Sequence, residues 1–355
     1  MELAELLSIA LEKRAADVFI LPGSPVTMRI GGSVLPINEA RLLPPDTERL
    51  IHKIYEQAGN RDIKNLLETG DDDFSFSVQH MGRFRCNAFK QRGTLASVIR
   101  LVAVGLPDPK TLSVPESVLR FSQFRKGIVL VTGAAGSGKS TTLACLIDKI
   151  NNERHDHIIT LEDPIEFLHP HKKSVVSQRE VPSDTLSYEK ALRAALRQSP
   201  NVILLGEMRD FETISTAISA AETGQLIFST LHTVGAAQTV DRILDSFPAT
   251  QQHQVRIQLS MVLRAVVSQQ LIPTTDGKLT PAMEVMVVTP AIQNLIRDGK
   301  SHQIDNVIFS SSADGMQTMD SDILRLYKEN RITKENAITF SINPEMQLKR
   351  MSQLS

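Results

Sequence analysis

Gly133-Ala134-Ala135-Gly136-Ser137-Gly138-Lys139-Ser140 fits the pattern G-x-x-x-x-G-K-[ST], and what flanks it decides the fold. Upstream, Ile128-Val129-Leu130-Val131 is a continuous apolar run, as expected of a strand buried on both faces. Downstream, Leu143, Leu146, Ile147 and Ile150 recur at i, i+3, i+4 and i+7, which predicts a helix starting near Lys139. Strand, glycine loop and helix is the order phosphate binding needs. The glycines let backbone N–H groups turn inward around a β-phosphate, and the helix N-terminus adds the positive end of its dipole. Lys139 places a point charge on the β/γ oxygens, and the Ser140 hydroxyl suits Mg²⁺. A bare glycine turn without a ligand is the weaker reading in this setting. The stretch reads as a nucleotide site.

At 355 residues, the chain has room for two domains with separate cores. Its 41% hydrophobic and 22% charged residues are ordinary for a globular protein. A net charge of −1 argues against a protein built to coat nucleic acid, and no nucleic-acid partner is expected. Glu2 and Glu5 stand among the first leucines, unlike the basic start of a signal peptide. No apolar run approaches the ~20 residues of a membrane span, so any membrane role is expected to be peripheral. Cys86 and Cys145 form no C-x-x-C pair, so a cytoplasmic compartment is expected, without a zinc site or disulfide framework. His169 and His171 read as part of a solvated loop, since no cysteine or carboxylate set accompanies them.

Along the chain, Leu3, Leu6, Leu7, Ala10 and Leu11 make one helical face, followed by extended runs Val18–Leu21 and Val26–Ile30. Gly31-Gly32-Ser33 predicts a hairpin turn into Val34–Ile37, and Pro44-Pro45-Asp46 introduces a helix with Leu50, Ile51, Ile54 and Ala58 on its buried stripe. Phe74, Phe76 and Val78 alternate with polar residues, as do Phe84, Cys86 and Ala88, and a third strand is expected at Ala96–Val102. The acidic run Asp71-Asp72-Asp73 is expected to be a solvated turn.

Gly105-Leu106-Pro107-Asp108-Pro109 is the best linker candidate. Beyond it, apolar strands alternate with helices, the mark of a parallel sheet. The expected strands are Ile128–Thr132, His157–Leu161, Val202–Leu205, Leu226–Thr230 and Met283–Val288. Helices are expected at Tyr188–Gln198 and at Phe211–Thr223, the latter capped by Asp210 and stopped by Gly224. A long amphipathic helix is expected at Gln251–Ile272, and short helices without a strand from about residue 290.

Phosphoryl transfer to water needs one carboxylate to orient the water and another near Mg²⁺, both at strand ends beside the phosphate loop. Two stretches qualify. In Ile158–Glu166 an apolar strand runs into Glu162, Asp163 and Glu166, and in Val202–Glu207 four apolar residues precede Gly206 and Glu207. His232 ends a further apolar strand, where it could meet a γ-phosphate or a neighbouring subunit. Arg83, Arg85, Arg92 and Arg100 cluster in the first domain. They are either exposed strand residues or cations that reach the nucleotide.

These motifs together resemble the secretion and pilus-motor ATPases, most specifically the PilT family of twitching-motility retraction ATPases. Four match in order: the phosphate loop; an aspartate box, Thr160-Leu161-Glu162-Asp163-Pro164-Ile165-Glu166; a Walker B region, Gly206-Glu207-Met208-Arg209-Asp210; and a histidine box ending at His232. The resemblance implies an α/β chain with a PAS-like α+β domain over 1–104, a linker at 105–110 and a RecA-like ATPase domain over 111–355 with a helical C-terminal extension. It implies ATP and Mg²⁺ as ligands, with Gly133, Gly136, Ser137, Gly138, Lys139, Ser140 and Thr141 on the nucleotide. Arg85 and Arg100 complete the γ-phosphate environment. Glu166 is then the water-orienting base, with Glu162 and His232 beside it, and Ser140 and Glu207 serve the metal. It also implies a homohexamer at the cytoplasmic face of the inner membrane, acting with a pilus platform protein. Ala291-Ile292-Gln293-Asn294-Leu295-Ile296-Arg297-Asp298 resembles the retraction family's A-I-R-N-L-I-R-E signature, with Gln293 at its first arginine. Gln225 likewise replaces the first histidine of the histidine box. A secretion or DNA-uptake motor, or a regulatory ring subunit without turnover, remains the alternative.

Overall fold

The computed structural model describes residues 2–102, 105–312 and 315–353. The chain divides into two compact units, residues 1–105 with 164–168, and residues 106–163 with 169–355. The domain boundary expected at residue 104 lies outside the described residues.

The first unit is one six-stranded antiparallel sheet in the order β3-β2-β1-β6-β5-β4. Its strands are β1 (Asp17–Ile20), β2 (Pro25–Ile30), β3 (Ser33–Arg41), β4 (Asp71–Val78), β5 (Gly82–Gln91) and β6 (Thr94–Leu101). Alternation puts Phe74, Phe76, Phe84, Cys86 and Ile99 on a common face. There they bury against Leu3, Leu6 and Leu7 of helix Leu3–Glu12 and Leu50, Ile51 and Ile54 of helix Pro44–Gln57. This is the α+β layer expected from the residue pattern. The acidic run is not a turn: it begins β4, and Asp72 is buried. Tyr55 Oη donates to Asp72 at 2.8 Å, and the Arg61 guanidinium grips both its oxygens at 2.9 Å. Burial raises the cost of that charge, but these donors hold the carboxyl below its usual range.

The second unit is built on a seven-stranded sheet in the order β13-β12-β7-β11-β10-β8-β9. Its strands are β7 (Gly127–Thr132), β8 (His157–Glu162), β9 (Val175–Glu180), β10 (Val202–Leu205), β11 (Leu226–Leu231), β12 (Leu263–Pro273) and β13 (Leu279–Val287). All neighbours pair in parallel except β12 with β13. Both faces are covered, and so β7, β10 and β11 are buried along their whole length. The helix expected from the phosphate loop runs Lys139–Glu153 and buries Leu143, Leu146, Ile147 and Ile150. Asp210 caps helix Phe211–Glu222 by accepting from the Thr213 N–H.

Two expectations of secondary structure change here. The helix expected over Gln251–Ile272 ends at Val262, and the chain continues as β12. Pairing with β7 on one side and β13 on the other overrides the helical spacing. β9 is an addition to the expected strands; its Gln178, Arg179 and Glu180 give it no apolar alternation, and it holds the sheet edge beside β8. His169 also departs from expectation. It is buried, not solvated, and burial without a partner for Nδ1 lowers its pKa to about 4. Beyond residue 290, short helices dominate, with one isolated bridge between Val285 and Gln317 among the described residues. Among those residues no helix is long and apolar enough to cross a membrane.

Candidate nucleotide site

Parallel pairing makes the site. Thr132 of β7 sits beside Leu231 of β11, and Leu205 of β10 sits between Ser229 of β11 and Leu161 of β8. The four strands therefore end together. Their C-terminal continuations emerge at one edge of the sheet: the phosphate loop after β7, His232 after β11, Gly206 and Glu207 after β10, and Glu162 closing β8.

Two glycines shape the phosphate loop. A Cβ on Gly133 (φ +139°) would lie 2.2 Å from the Gln269 carbonyl oxygen. Gly138 is left-handed at φ +87° and caps the helix that starts at Lys139. The Lys139 ammonium is buried and donates to the carbonyls of Gly133 at 2.8 Å and Ala134 at 2.9 Å. Ser137 Oγ is buried without a hydrogen-bond partner. Ser140 and Thr141, in the first helical turn, are partly exposed, and Gly136 is exposed.

Around the loop stand the carboxylates. Glu207 is largely covered; Arg209 pairs with its Oε1 at 2.6 Å, and His232 Nε2 lies 3.5 Å from Oε2. Glu162 Oε1 accepts from Thr160 Oγ1 at 2.6 Å and from Gln178 Nε2 at 3.2 Å. Thr230 Oγ1 donates to the Gly206 carbonyl at 2.6 Å, fixing the turn into Glu207. Lys139, Glu162, Glu207 and His232 thus share one edge.

The other expected residues belong to the first unit. Glu166 is exposed within the 164–168 segment. Arg85 pairs with Asp73, at 3.0 Å from Nε and 2.5 Å from Nη2. Arg100 shares the buried Asp17 with Arg29, each Nε at 2.9 Å from a different oxygen.

Two further residues shape the site without a motif to announce them. Tyr188 brings its hydroxyl so close to Gly206 that a Cβ there would lie 2.6 Å from it. Burial, then the charges of Asp163, Glu207 and Glu162, push the phenol pKa up, so it stands neutral among the carboxylates. Gln269, on β12 where the spacing predicts helix, donates from Nε2 to the Ser137 carbonyl at 2.5 Å and accepts from Thr142 Oγ1 at 2.8 Å. Neither has a local sequence signal: one is a helical tyrosine, the other a glutamine in a polar triplet.

Residues 3–303 match the family model described as Type II/IV secretion system protein. The Type IV pilus retractation ATPase PilT of Pseudomonas aeruginosa is 44% identical over 337 residues, covering 95% of this chain and 97% of that protein. The Type IV pilus ATPase PilU of the same organism is 40% identical over 339 residues, covering 95% of this chain and 88% of that one. The crystal structure of the pilus retraction motor PilT with bound ADP superposes with a TM-score of 0.91 at 44% identity, covering 99% of this chain and 100% of the other. With the phosphate loop, the strand-end carboxylates and the fold all in agreement, the chain belongs to the Type II/IV secretion system protein family and has the secretion-ATPase fold, an N-terminal α+β domain followed by a RecA-like domain.

Proposed function

We propose that the protein is an ATP-hydrolysing motor that powers type IV pilus retraction, working as a homohexamer on the cytoplasmic face of the inner membrane against a pilus platform protein. The observation that carries this is the convergence of Lys139, Glu162, Glu207 and His232 on one sheet edge, in a chain alike in full length to a retraction ATPase.

The residues present fit a magnesium nucleotide. Gly133 leaves its loop no room for a side chain, Gly138 turns the backbone left-handed, and the buried Ser137 hydroxyl lacks a partner. In this reading Gly136, Ser137, Gly138 and Thr141 line the phosphates with backbone N–H groups. The Lys139 ammonium exchanges two carbonyl partners for β/γ oxygens. Ser140 and Glu207 would hold Mg²⁺, which supplies charge neutralisation on those oxygens. Glu166 orients the attacking water, Glu162 is a second catalytic carboxylate, and His232 reads the γ-phosphate end through Glu207. Arg85 and Arg100, from a neighbouring subunit, complete the anion's surroundings.

The test is Lys139→Ala in the full chain. ATP hydrolysis and nucleotide binding should vanish while circular dichroism stays unchanged, because the Lys139 ammonium donates to the Gly133 and Ala134 carbonyls of the loop it serves. A strain carrying the variant as its sole copy should lose twitching. Normal turnover by Lys139→Ala would remove the site. Turnover by the wild type with no effect on twitching would favour a secretion or DNA-uptake motor.

A further inference from the structure

Gln269 touches the phosphate loop at two points and the helix that follows it at a third. Its backbone carbonyl oxygen closes on Gly133 at the loop's start. Its side-chain Nε2 donates to the Ser137 carbonyl near the loop's end, and its Oε1 accepts from Thr142, one turn into the following helix. The residue is 3% exposed, so water does not substitute for either bond. A primary amide is the neutral side chain that offers a donor and an acceptor side by side, which this position requires.

The strand beneath it is itself anchored. Ser268 Oγ accepts from the Gly235 N–H at 2.8 Å, and Gln270 Nε2 donates to the Phe340 carbonyl at 2.9 Å. Gln269 therefore projects from a fixed base.

We infer that Gln269 is a positioning residue for phosphate binding: it holds the Ser137 carbonyl toward β12 and so aims the Gly138 N–H the opposite way, into the loop. The inference rests on the nucleotide reading of that loop. Its physical basis is peptide planarity. In a trans peptide the C=O of one residue and the N–H of the next point to opposite sides, so fixing the Ser137 oxygen fixes the Gly138 hydrogen. Gly138 also lacks the Cβ that would lie 3.0 Å from Gln269 Nε2, which lets the amide reach past it. Without Gln269 the 137–138 peptide is free to rotate. A rotated peptide would present a carbonyl to the phosphate in place of a donor.

Two variants of the full chain test this, with binding of a fluorescent ADP as the probe. Gln269→Met keeps the volume and removes both hydrogen bonds. Its affinity should fall about ten-fold or more, the loss of one to two buried hydrogen bonds. Gln269→Glu can donate to the Ser137 carbonyl only when protonated. Its deficit relative to the wild type should be large at about pH 8.5 and shrink several-fold at about pH 5.5, where a buried carboxyl keeps its proton. The deficit of Gln269→Met should not change with pH. A purely structural glutamine would move stability but show no such pH-dependent rescue. If Gln269→Met fails to fold, the two pH values on Gln269→Glu decide alone. A Gln269→Met affinity within about two-fold of the wild type, or a Gln269→Glu deficit equal at both pH values, overturns the inference. A wild type that binds no ADP overturns the nucleotide reading itself, and this inference with it.

Discussion

His232 Nε2 lies 3.5 Å from Glu207 Oε2, while Arg209 holds the other oxygen of that carboxylate at 2.6 Å. Glu207 side-chain exposure is 13%, against 71% for Arg209 and 55% for His232. One covered anion is thus aimed by two outer groups, and the strand order that joins β10 to β11 brings them together. Glu207→Gln should lower turnover by about 10²-fold, in the range of losing one preorganised electrostatic group. The size of the defect should differ between Mg²⁺ and Mn²⁺ in a steady-state assay, since the proposed role is at the metal. An equal defect with both ions would place Glu207 elsewhere in the reaction.

The two acids of the aspartate box can be told apart. Glu162 already accepts from Thr160 and Gln178, whereas Glu166 is exposed in the segment that groups with the first unit. Glu166→Gln should bind ATP and leave it uncleaved, with a turnover loss of about 10²-fold or more. Glu162→Gln should cost less, because its amide can keep the Thr160 contact. Single-turnover assays on both decide, and the reverse order would move the water-orienting role to Glu162.

His169 makes stability depend on pH. Its folded pKa of about 4 lies below the ordinary value of 6.5. Below 6.5 the unfolded chain takes up a proton that the folded chain refuses until about 4, so the unfolded state binds more protons and stability falls across that window. The full loss would approach about 3 kcal/mol by pH 4. Thermal melts from neutral pH downward should show a steeper fall in the wild type than in His169→Leu. Parallel curves would contradict the burial of this imidazole.

The helix Pro290–Arg297 separates packing from coupling. Ile292 and Ile296 are buried, Leu295 is partly so, and Arg297 is exposed, with Nη2 bonded to Asn294 Oδ1. Arg297→Ala should leave melting temperature and basal hydrolysis near the wild type and sharply reduce twitching. Ile296→Ala should cost about 2–5 kcal/mol and reduce all three together. Normal motility with Arg297→Ala would make this helix a packing element alone.

Some of this protein is written locally in its sequence. The phosphate loop, the apolar runs of β7, β10 and β11, and the Asp210 cap each depend on residues a few positions apart, and each is legible without a structure. So is the clustering of Lys139, Glu162, Glu207 and His232, because parallel strands of this kind end on one edge. Tertiary structure decided the rest. Leu263–Pro273 continues a helical spacing, yet it is a strand because β7 and β13 offer hydrogen-bond ladders on both sides. That single change turns Gln269 from a helix-surface residue into the clamp on the phosphate loop, 127 positions from its partner Thr142. Asp72 and His169 read as solvated for a similar reason. Burial of a polar group depends on what packs over it, and Tyr55 and Arg61 reach Asp72 from 17 and 11 positions away. Local propensity names the elements, but a buried polar contact exists only once distant segments have met.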